Sequence, residues 1–341
     1  MLLAALTSAL VVAIPVSAQT SPSADGPVAR DVAYASSSPQ QVLDVYGGAS
    51  PDGATAPVVI LVHGGGWTTG DKSRLAGVAT VLGSQGFVVF NINYRLGKQA
   101  VPAYRQQVDD VRRALEWVRT HAARYGGDAN RIGLLGGSAG GYLAAMVATT
   151  AGPMSGVRAA VSLSGPMDIT SLVDLIRATR RELGPDCSGP RCDDLATAVS
   201  SLHALLGCNP FRCPPRVLAS ASPITHVSAE SPPFFLANSR AEDVPASQAR
   251  DMAGALTRMG VPVELSILAG HEHSLGYVHV IGDAVIRFLK NRLAAGTPPA
   301  DLPARDPGRG FPWRGLGLAT LVGLAAIGVF TGVLRVGRRA L

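Results

Sequence analysis

The feature that most constrains the fold is the glycine-rich run from Gly136 to Gly141, which contains one serine, Ser138. An apolar stretch, residues 131–135, leads into it, and residues 143–148 after it have the composition of a helix. The pattern Gly-x-Ser-x-Gly between a strand and a helix is typical of a nucleophile elbow, a tight turn that holds the serine strained and exposed. By itself the pattern is equally compatible with a glycine-rich turn of purely structural role, so the rest of the chain must decide.

The rest of the chain alternates strand-like and helix-like segments. Residues 108–122 form the clearest helix, because their apolar positions repeat at spacings of three and four. Residues 31–34 and 41–46 alternate in polarity and predict two opening antiparallel strands. Almost continuous apolar runs, as expected of strands covered on both faces, occur at residues 57–62, 87–92 and 157–163. The pattern predicts an α/β fold, with a mostly parallel sheet and helices on both faces.

Residues 168–222 interrupt this alternation and predict a cap inserted into the α/β domain. The segment contains all four cysteines, in two pairs whose members are separated by four residues: Cys187, Cys192, Cys208 and Cys213. An even number of cysteines in a loop-rich part of an exported protein predicts two disulfides. The local pairs are the simplest of three possible connectivities. A four-cysteine zinc site is the alternative, but the spacing is wider than zinc sites usually have, so no metal site is predicted.

Two further apolar segments lie outside the α/β pattern. Residues 1–18 end in a small-residue cleavage pattern and predict a secretory signal peptide. An uncleaved anchor is the alternative, because no lysine or arginine precedes the apolar run. Residues 315–334 carry no charge and predict a transmembrane helix, with a buried C-terminal core helix as the alternative. Arginines in residues 335–341 favour a short cytoplasmic tail.

These segments predict the domain organisation and the location of the protein. A linker, residues 19–30, leads to a globular domain at residues 31–295. A tether rich in proline and glycine, residues 296–314, then reaches the membrane helix. We expect an exported protein held in the cell membrane, with its globular domain outside the cytoplasm.

The charge distribution argues against a nucleic-acid partner. The formal net charge is +6 and charged residues make up 16% of the chain, but the arginines are dispersed. No basic stripe is interleaved with aromatic residues, as a nucleic-acid-binding surface would require. The composition gives no indication of an oligomeric state.

A nucleophilic serine needs a base to take its proton and a carboxylate to hold the base. In the elbow architecture these residues follow the serine in the order acid, then histidine. His273, in the loop after the last predicted strand, is the candidate base, and His271 is the fallback. The acid is expected after the strand that ends near residue 238, where Glu242 and Asp243 are adjacent. Asp168 is a third option, although its position suits a helix N-cap.

A second glycine-rich segment runs from His63 to Trp67 and contains three consecutive glycines. Such a loop can turn its N–H groups inward, so we expect Gly65 and Gly66 to join the N–H of Ala139 as donors to a developing oxyanion. Each such donor contributes on the order of 3 kcal/mol in a transition state.

Together these motifs resemble the α/β-hydrolase esterases, most closely the carboxylesterase and hormone-sensitive-lipase-like group and its feruloyl-esterase-like relatives. The resemblance covers about residues 31 to 293. The motifs that carry it are His63–Lys72, Asn93–Leu96, Asp110–Trp117, Gly127–Arg131, Gly136–Gly141 and Ser222–Thr225. The resemblance implies an α/β-hydrolase fold, no cofactor, and hydrolysis of carboxylic esters. It assigns Ser138 as nucleophile, His273 as base, and Gly65, Gly66 and Ala139 as oxyanion donors.

The sequence departs from this family at the acid. The usual aspartate falls on Ala241, and some relatives carry a glutamate at the next position, which matches Glu242. Glu242 is therefore the expected acid and Asp243 the alternative. We expect a membrane-tethered serine esterase that acts on a small-molecule ester, with specificity set by residues 168–222. The rival hypotheses are an amide hydrolase that uses the same triad and a catalytically silent adhesion domain.

Overall fold

A single eight-stranded sheet runs through the chain. The computed structural model describes residues 26–48, 54–97 and 102–295. Its strands are β1 (Ala29–Ala33), β2 (Val42–Tyr46), β3 (Ala56–Val62), β4 (Val88–Ile92), β5 (Gly127–Gly137), β6 (Val157–Leu163), β7 (Phe234–Ser239) and β8 (Val263–Leu268). Their order in the sheet is β1-β2-β4-β3-β5-β6-β7-β8. β1 and β2 are antiparallel to their neighbours, and the six strands from β4 to β8 are parallel. The predicted mostly parallel α/β sheet is confirmed.

Helices cover both faces of this sheet. They are α1 (Ala76–Ser84), α2 (Ala103–His121), α3 (Ala139–Thr150), α4 (Ile169–Leu183), α5 (Pro190–Leu206), α6 (Pro215–Ser220), α7 (Ala246–Arg258) and α8 (Val278–Arg292). One core, on the side of α2, α3 and α7, contains Val108, Leu143 and Met252, all buried. A second core, on the side of α1 and α8, contains Leu82 and Leu289. Burial on both faces explains why the central strands are almost entirely apolar.

The register of the parallel strands brings their carboxyl ends to one edge of the sheet. Val62 at the end of β3 pairs with Gly136 of β5, and Gly137 pairs with Leu163 of β6. Leu163 in turn pairs with Ala237 of β7. Loops that follow these strands therefore meet above the same edge, where open α/β sheets bind their ligands.

The cap segment lies between β6 and β7 and contributes α4, α5 and α6. Cys187 is bonded to Cys192, and Cys208 is bonded to Cys213. The prediction of two disulfides is confirmed, with the local connectivity, and the sulfur atoms are not available to the zinc alternative. Within residues 26–48, 54–97 and 102–295, no cluster of histidine, cysteine or acidic residues is arranged to hold a metal ion.

Several sequence predictions fall on residues outside this description. The signal peptide (residues 1–18), the tether (296–314), the transmembrane helix (315–334) and the tail (335–341) all lie outside the described residues. Of the predicted linker, residues 19–30, only 26–30 are described, and β1 already begins at Ala29. None of the described helices is both long enough and apolar enough to span a bilayer.

Candidate active site

Ser138 occupies the turn between β5 and α3 in a strained conformation. Its backbone angles are φ 55° and ψ −123°, which non-glycine residues rarely adopt. The two glycines of the motif permit this turn. A Cβ atom on Gly140 would lie 2.1 Å from the Val62 carbonyl oxygen, and one on Gly136 would lie 2.3 Å from the backbone of Gly140. The sharp turn therefore requires glycine at both positions, and it places Ser138 at the N-terminus of α3.

The loop at residues 63–70 lies directly against this elbow. A Cβ atom on Gly64 would be 3.3 Å from the Cβ of Ser138. The Gly64 carbonyl accepts a hydrogen bond from Nδ1 of His63 at 2.8 Å, and the Gly65 carbonyl accepts from the Thr69 amide at 3.0 Å. Because C=O and N–H point in opposite directions across one planar peptide, the N–H groups of Gly65 and Gly66 point away from these two contacts. Neither N–H group is therefore used in these two bonds of the loop.

His63 supports the glycine loop and is not placed as a base. It is buried, its ring stacks on Tyr94 at a centroid distance of 4.3 Å, and the Tyr94 hydroxyl donates to the His63 carbonyl at 2.9 Å. Burial lowers the pKa of His63 to about 4, so the imidazole is neutral near pH 7. A neutral ring donates from Nδ1 to Gly64 and fixes the start of the loop.

The acid–base pair comes from the loops that follow β7 and β8. Nδ1 of His273 lies 2.5 Å from Oε2 of Glu242, and the other carboxylate oxygen accepts from the Ser239 amide at 2.6 Å. The Glu242 side chain is fully buried, whereas 18% of the His273 side chain is exposed. An ionised carboxylate only accepts, so Nδ1 carries the proton and Nε2 is left as the basic nitrogen. This tautomer is the one that can take a proton from a serine.

The other candidates for base and acid do not form the hydrogen bond between His273 and Glu242. Asp168 accepts from the Ser171 amide at 3.1 Å and caps α4, as its position suggested. His271 is exposed and lies outside the His273–Glu242 contact. Asp243 is buried beside the pair, but one of its oxygens has no hydrogen-bond partner among the described residues. Burial raises the pKa of Asp243 to about 6, and the charge of His273 only partly opposes this shift.

A network of hydrogen bonds, which the sequence analysis did not predict, holds the loop of His273 against the elbow. The Ser274 amide donates to Oγ of Ser164 at 2.8 Å, and Ser164 and the Tyr277 hydroxyl lie 2.7 Å apart. Tyr277 donates onward to the Ala237 carbonyl at 2.8 Å. A Cβ atom on Gly137 would lie 2.0 Å from Oγ of Ser274, so the residues that adjoin Ser138 and His273 touch. Ser164 directly follows the apolar strand β6, so a search of the sequence for polar residues at strand ends would have identified it.

The ends of the parallel strands thus bring to one edge of the sheet a strained serine, a hydrogen-bonded histidine–carboxylate pair and a glycine loop that lies against the serine. The chain order serine, acid, histidine is that of the nucleophile-elbow architecture. The fold and this constellation define the α/β-hydrolase class. Within that class the chain belongs to the BD-FAE family, whose model matches residues 43–256.

Similar proteins agree with this assignment. Probable carboxylic ester hydrolase LipM of Mycobacterium tuberculosis is 31% identical over 258 residues, 72% of this chain and 55% of LipM. Esterase LipQ of the same organism is 28% identical over 303 residues, 79% of this chain and 66% of LipQ. The chain thus spans between half and two thirds of the length of these relatives. A solved carbohydrate esterase from gut microbiota has a TM-score of 0.64 at 22% identity, covering 80% of this chain and 98% of that one, and shares the fold.

Proposed function

We propose that this protein is a serine hydrolase that cleaves carboxylic esters through an acyl-enzyme intermediate. The observation that carries the proposal is the His273–Glu242 contact at the sheet edge where the strained, partly buried Ser138 also lies. The names of LipM and LipQ, both ester hydrolases, support an ester as the substrate. The small molecule that is hydrolysed is therefore expected to be a carboxylic ester, and the proposed chemistry uses no cofactor.

In the first half-reaction, Oγ of Ser138 attacks the ester carbonyl carbon while Nε2 of His273 takes the hydroxyl proton. The carbonyl oxygen becomes an oxyanion, and the amides of Gly65, Gly66 and Ala139 are proposed to donate to it. The buried carboxylate of Glu242 stabilises the imidazolium that forms. The C–O bond to the alcohol then breaks, the proton passes from His273 to the leaving oxygen, and the acyl group stays on Ser138.

The second half-reaction reverses these roles with water as the nucleophile. Nε2 of His273 takes a proton from water, and the hydroxide attacks the acyl carbon. The tetrahedral intermediate collapses, the proton returns to Oγ of Ser138, and the carboxylic acid is released. No further proton donor is needed, because His273 alternates between base and acid.

The proposed site of action is outside the cytoplasm, on the cell membrane. The two disulfides in the cap support an oxidising compartment. The uncharged run at residues 315–334 supports attachment to a bilayer. Deletion of residues 315–341 is expected to move the protein from the membrane fraction to the soluble fraction of the producing cell. If the shortened protein were distributed between the two fractions in the same way as the full chain, the tether would be refuted.

The direct test of the activity is the turnover of 4-nitrophenyl acetate and butyrate by purified protein. Replacement of Ser138→Ala removes the attacking oxygen and is expected to reduce turnover to the uncatalysed background. The melting temperature should not fall, because alanine needs no additional space at the elbow. Turnover by the alanine variant at the wild-type rate would refute the mechanism. Faster hydrolysis of a matched 4-nitroanilide than of the ester would instead favour an amide hydrolase.

A further inference from the structure

Helix α5 of the cap lies across the glycine loop. A Cβ atom on Gly66 would be 3.2 Å from Oγ and 3.8 Å from Cβ of Ser201 on α5. One turn further along, the Ala204 methyl would be 3.6 Å from a Cβ atom on Gly97, a residue whose amide donates to the Trp67 carbonyl at 2.7 Å. The helix is therefore packed on the loop that supplies two of the proposed oxyanion donors.

The hydroxyl groups of Ser201 and Thr197, both on α5, differ in their hydrogen bonding. Thr197 donates to the Asp193 carbonyl one turn earlier at 2.9 Å, which is the usual fate of a hydroxyl inside a helix. Ser201 is 7% exposed, and no such bond within the helix uses its hydroxyl, which lies against the glycine loop instead. The proton of this hydroxyl can therefore be offered to a group that binds beside the loop.

We infer that the hydroxyl of Ser201 is an additional oxyanion donor, supplied by the cap. It is adjacent to Gly66, one of the proposed oxyanion donors, and rotation about its C–O bond can turn its proton toward an oxygen bound there. This inference rests on the proposed function, because an oxyanion forms only if Ser138 attacks a carbonyl group. It makes Ser201 a catalytic residue and couples the position of the cap to the rate of reaction.

The donor would act mainly on the transition state. The substrate carbonyl oxygen carries little charge before attack, so the Ser201 bond strengthens as the charge develops. Removal of the hydroxyl should therefore lower kcat and leave KM nearly unchanged. A residue that only supports packing of α5 would change KM, the melting temperature, or both.

The experiment compares Ser201→Ala with wild type on 4-nitrophenyl acetate, using the full chain. The matched control is Ser200→Ala, the same change on the exposed side of the same helix. We expect kcat of Ser201→Ala to fall by a factor on the order of 10² and that of the control to stay within twofold. A second readout is the affinity for an aryl trifluoromethyl ketone, which adds to the serine and mimics the oxyanion. That affinity should fall in parallel with kcat.

Each alternative outcome has a distinct meaning. Wild-type activity and unchanged ketone affinity in Ser201→Ala overturn the inference and leave the proposed function intact. A wild-type protein that neither turns over the ester nor binds the ketone overturns both. If Ser201→Ala does not fold, Ser201→Cys keeps the shape of the side chain, with a slightly larger atom that is a weak donor, and should show the same selective loss of kcat. Normal kcat in that variant also overturns the inference.

Discussion

The two halves of the candidate site are built on different principles. The elbow and the glycine loop, residues 136–141 and 63–70, are defined by backbone geometry. Their proposed donors are peptide amides, and a Cβ atom added to Gly140 or Gly65 would lie only 2.1 Å from a backbone oxygen. The loops at residues 240–245 and 270–274 are defined by side chains, through the His273–Glu242 contact.

The difference determines how each half can vary. A glycine whose added Cβ atom would lie 2.1 Å from a backbone carbonyl oxygen has no substitute, so the first half has a recognisable sequence pattern. A carboxylate can reach a histidine from more than one position, so the second half leaves a choice between neighbours. The expected consequences of substitution differ accordingly, and the following predictions test that difference.

The largest effect is expected from the choice between the two adjacent carboxylates. Replacement of Glu242→Gln removes the charge that holds Nδ1 of His273 and should lower kcat on 4-nitrophenyl acetate by roughly 10³ to 10⁴. The matched control is Asp243→Asn, which makes the same change one residue later. It should stay within about tenfold of wild type at pH 8, because the hydrogen bond to Nδ1 of His273 comes from Glu242. The reverse order of the two effects would assign the acid to Asp243.

The second effect concerns the half of the site that is defined by backbone geometry, and it is measured as a change in the free energy of unfolding. Replacement of Gly140→Ala drives a methyl group into the Val62 carbonyl and should cost more than about 3 kcal/mol, since backbone atoms on both sides must move. The matched control is Gly254→Ala, also within a helix. Its added Cβ would meet only the end of the Arg258 side chain, at 3.4 Å. The control should gain up to about 1 kcal/mol in urea unfolding. Equal destabilisation of both variants would refute the steric account.

The smallest effect is a pH dependence caused by the spare carboxylate. The pKa of Asp243 rises from 3.8 to about 6 on folding, so the folded state holds the proton more tightly than the unfolded state. The contribution of Asp243 to stability therefore falls as the pH rises from 4 to 6 and stays low above 6. The Asp243→Asn variant does not lose stability in this way, because asparagine does not ionise. Relative to wild type its free energy of unfolding should improve by about 2 to 3 kcal/mol between pH 4 and pH 7.

Unfolding in urea at these two pH values checks this prediction. The buried His63 also titrates in this range, with its pKa lowered to about 4, but it is present in both proteins and cancels in the difference. A constant difference between Asp243→Asn and wild type across the pH range would show that Asp243 ionises freely in the folded protein.

Much of the fold was predictable from the sequence, because burial on both faces leaves apolar runs and buried helix faces leave a periodic pattern. β3 and α2 are examples, at Ala56–Val62 and Ala103–His121. The local disulfides were also predictable. The contacts between loops distant in sequence were not. Ser164 and Tyr277 are separated by 113 positions, and Ser201 meets Gly66 only because α5 of the cap packs beside the glycine loop.

The most direct test of the central claim is the site at which a fluorophosphonate reacts with the folded protein. The reagent phosphonylates only a serine that is activated by a base and faces oxyanion donors. Peptide mass spectrometry is expected to find a single adduct, on Ser138, that is absent from Ser138→Ala and strongly reduced in His273→Ala. A folded protein that remains unlabelled, or that carries the adduct on a different serine, would contradict the account.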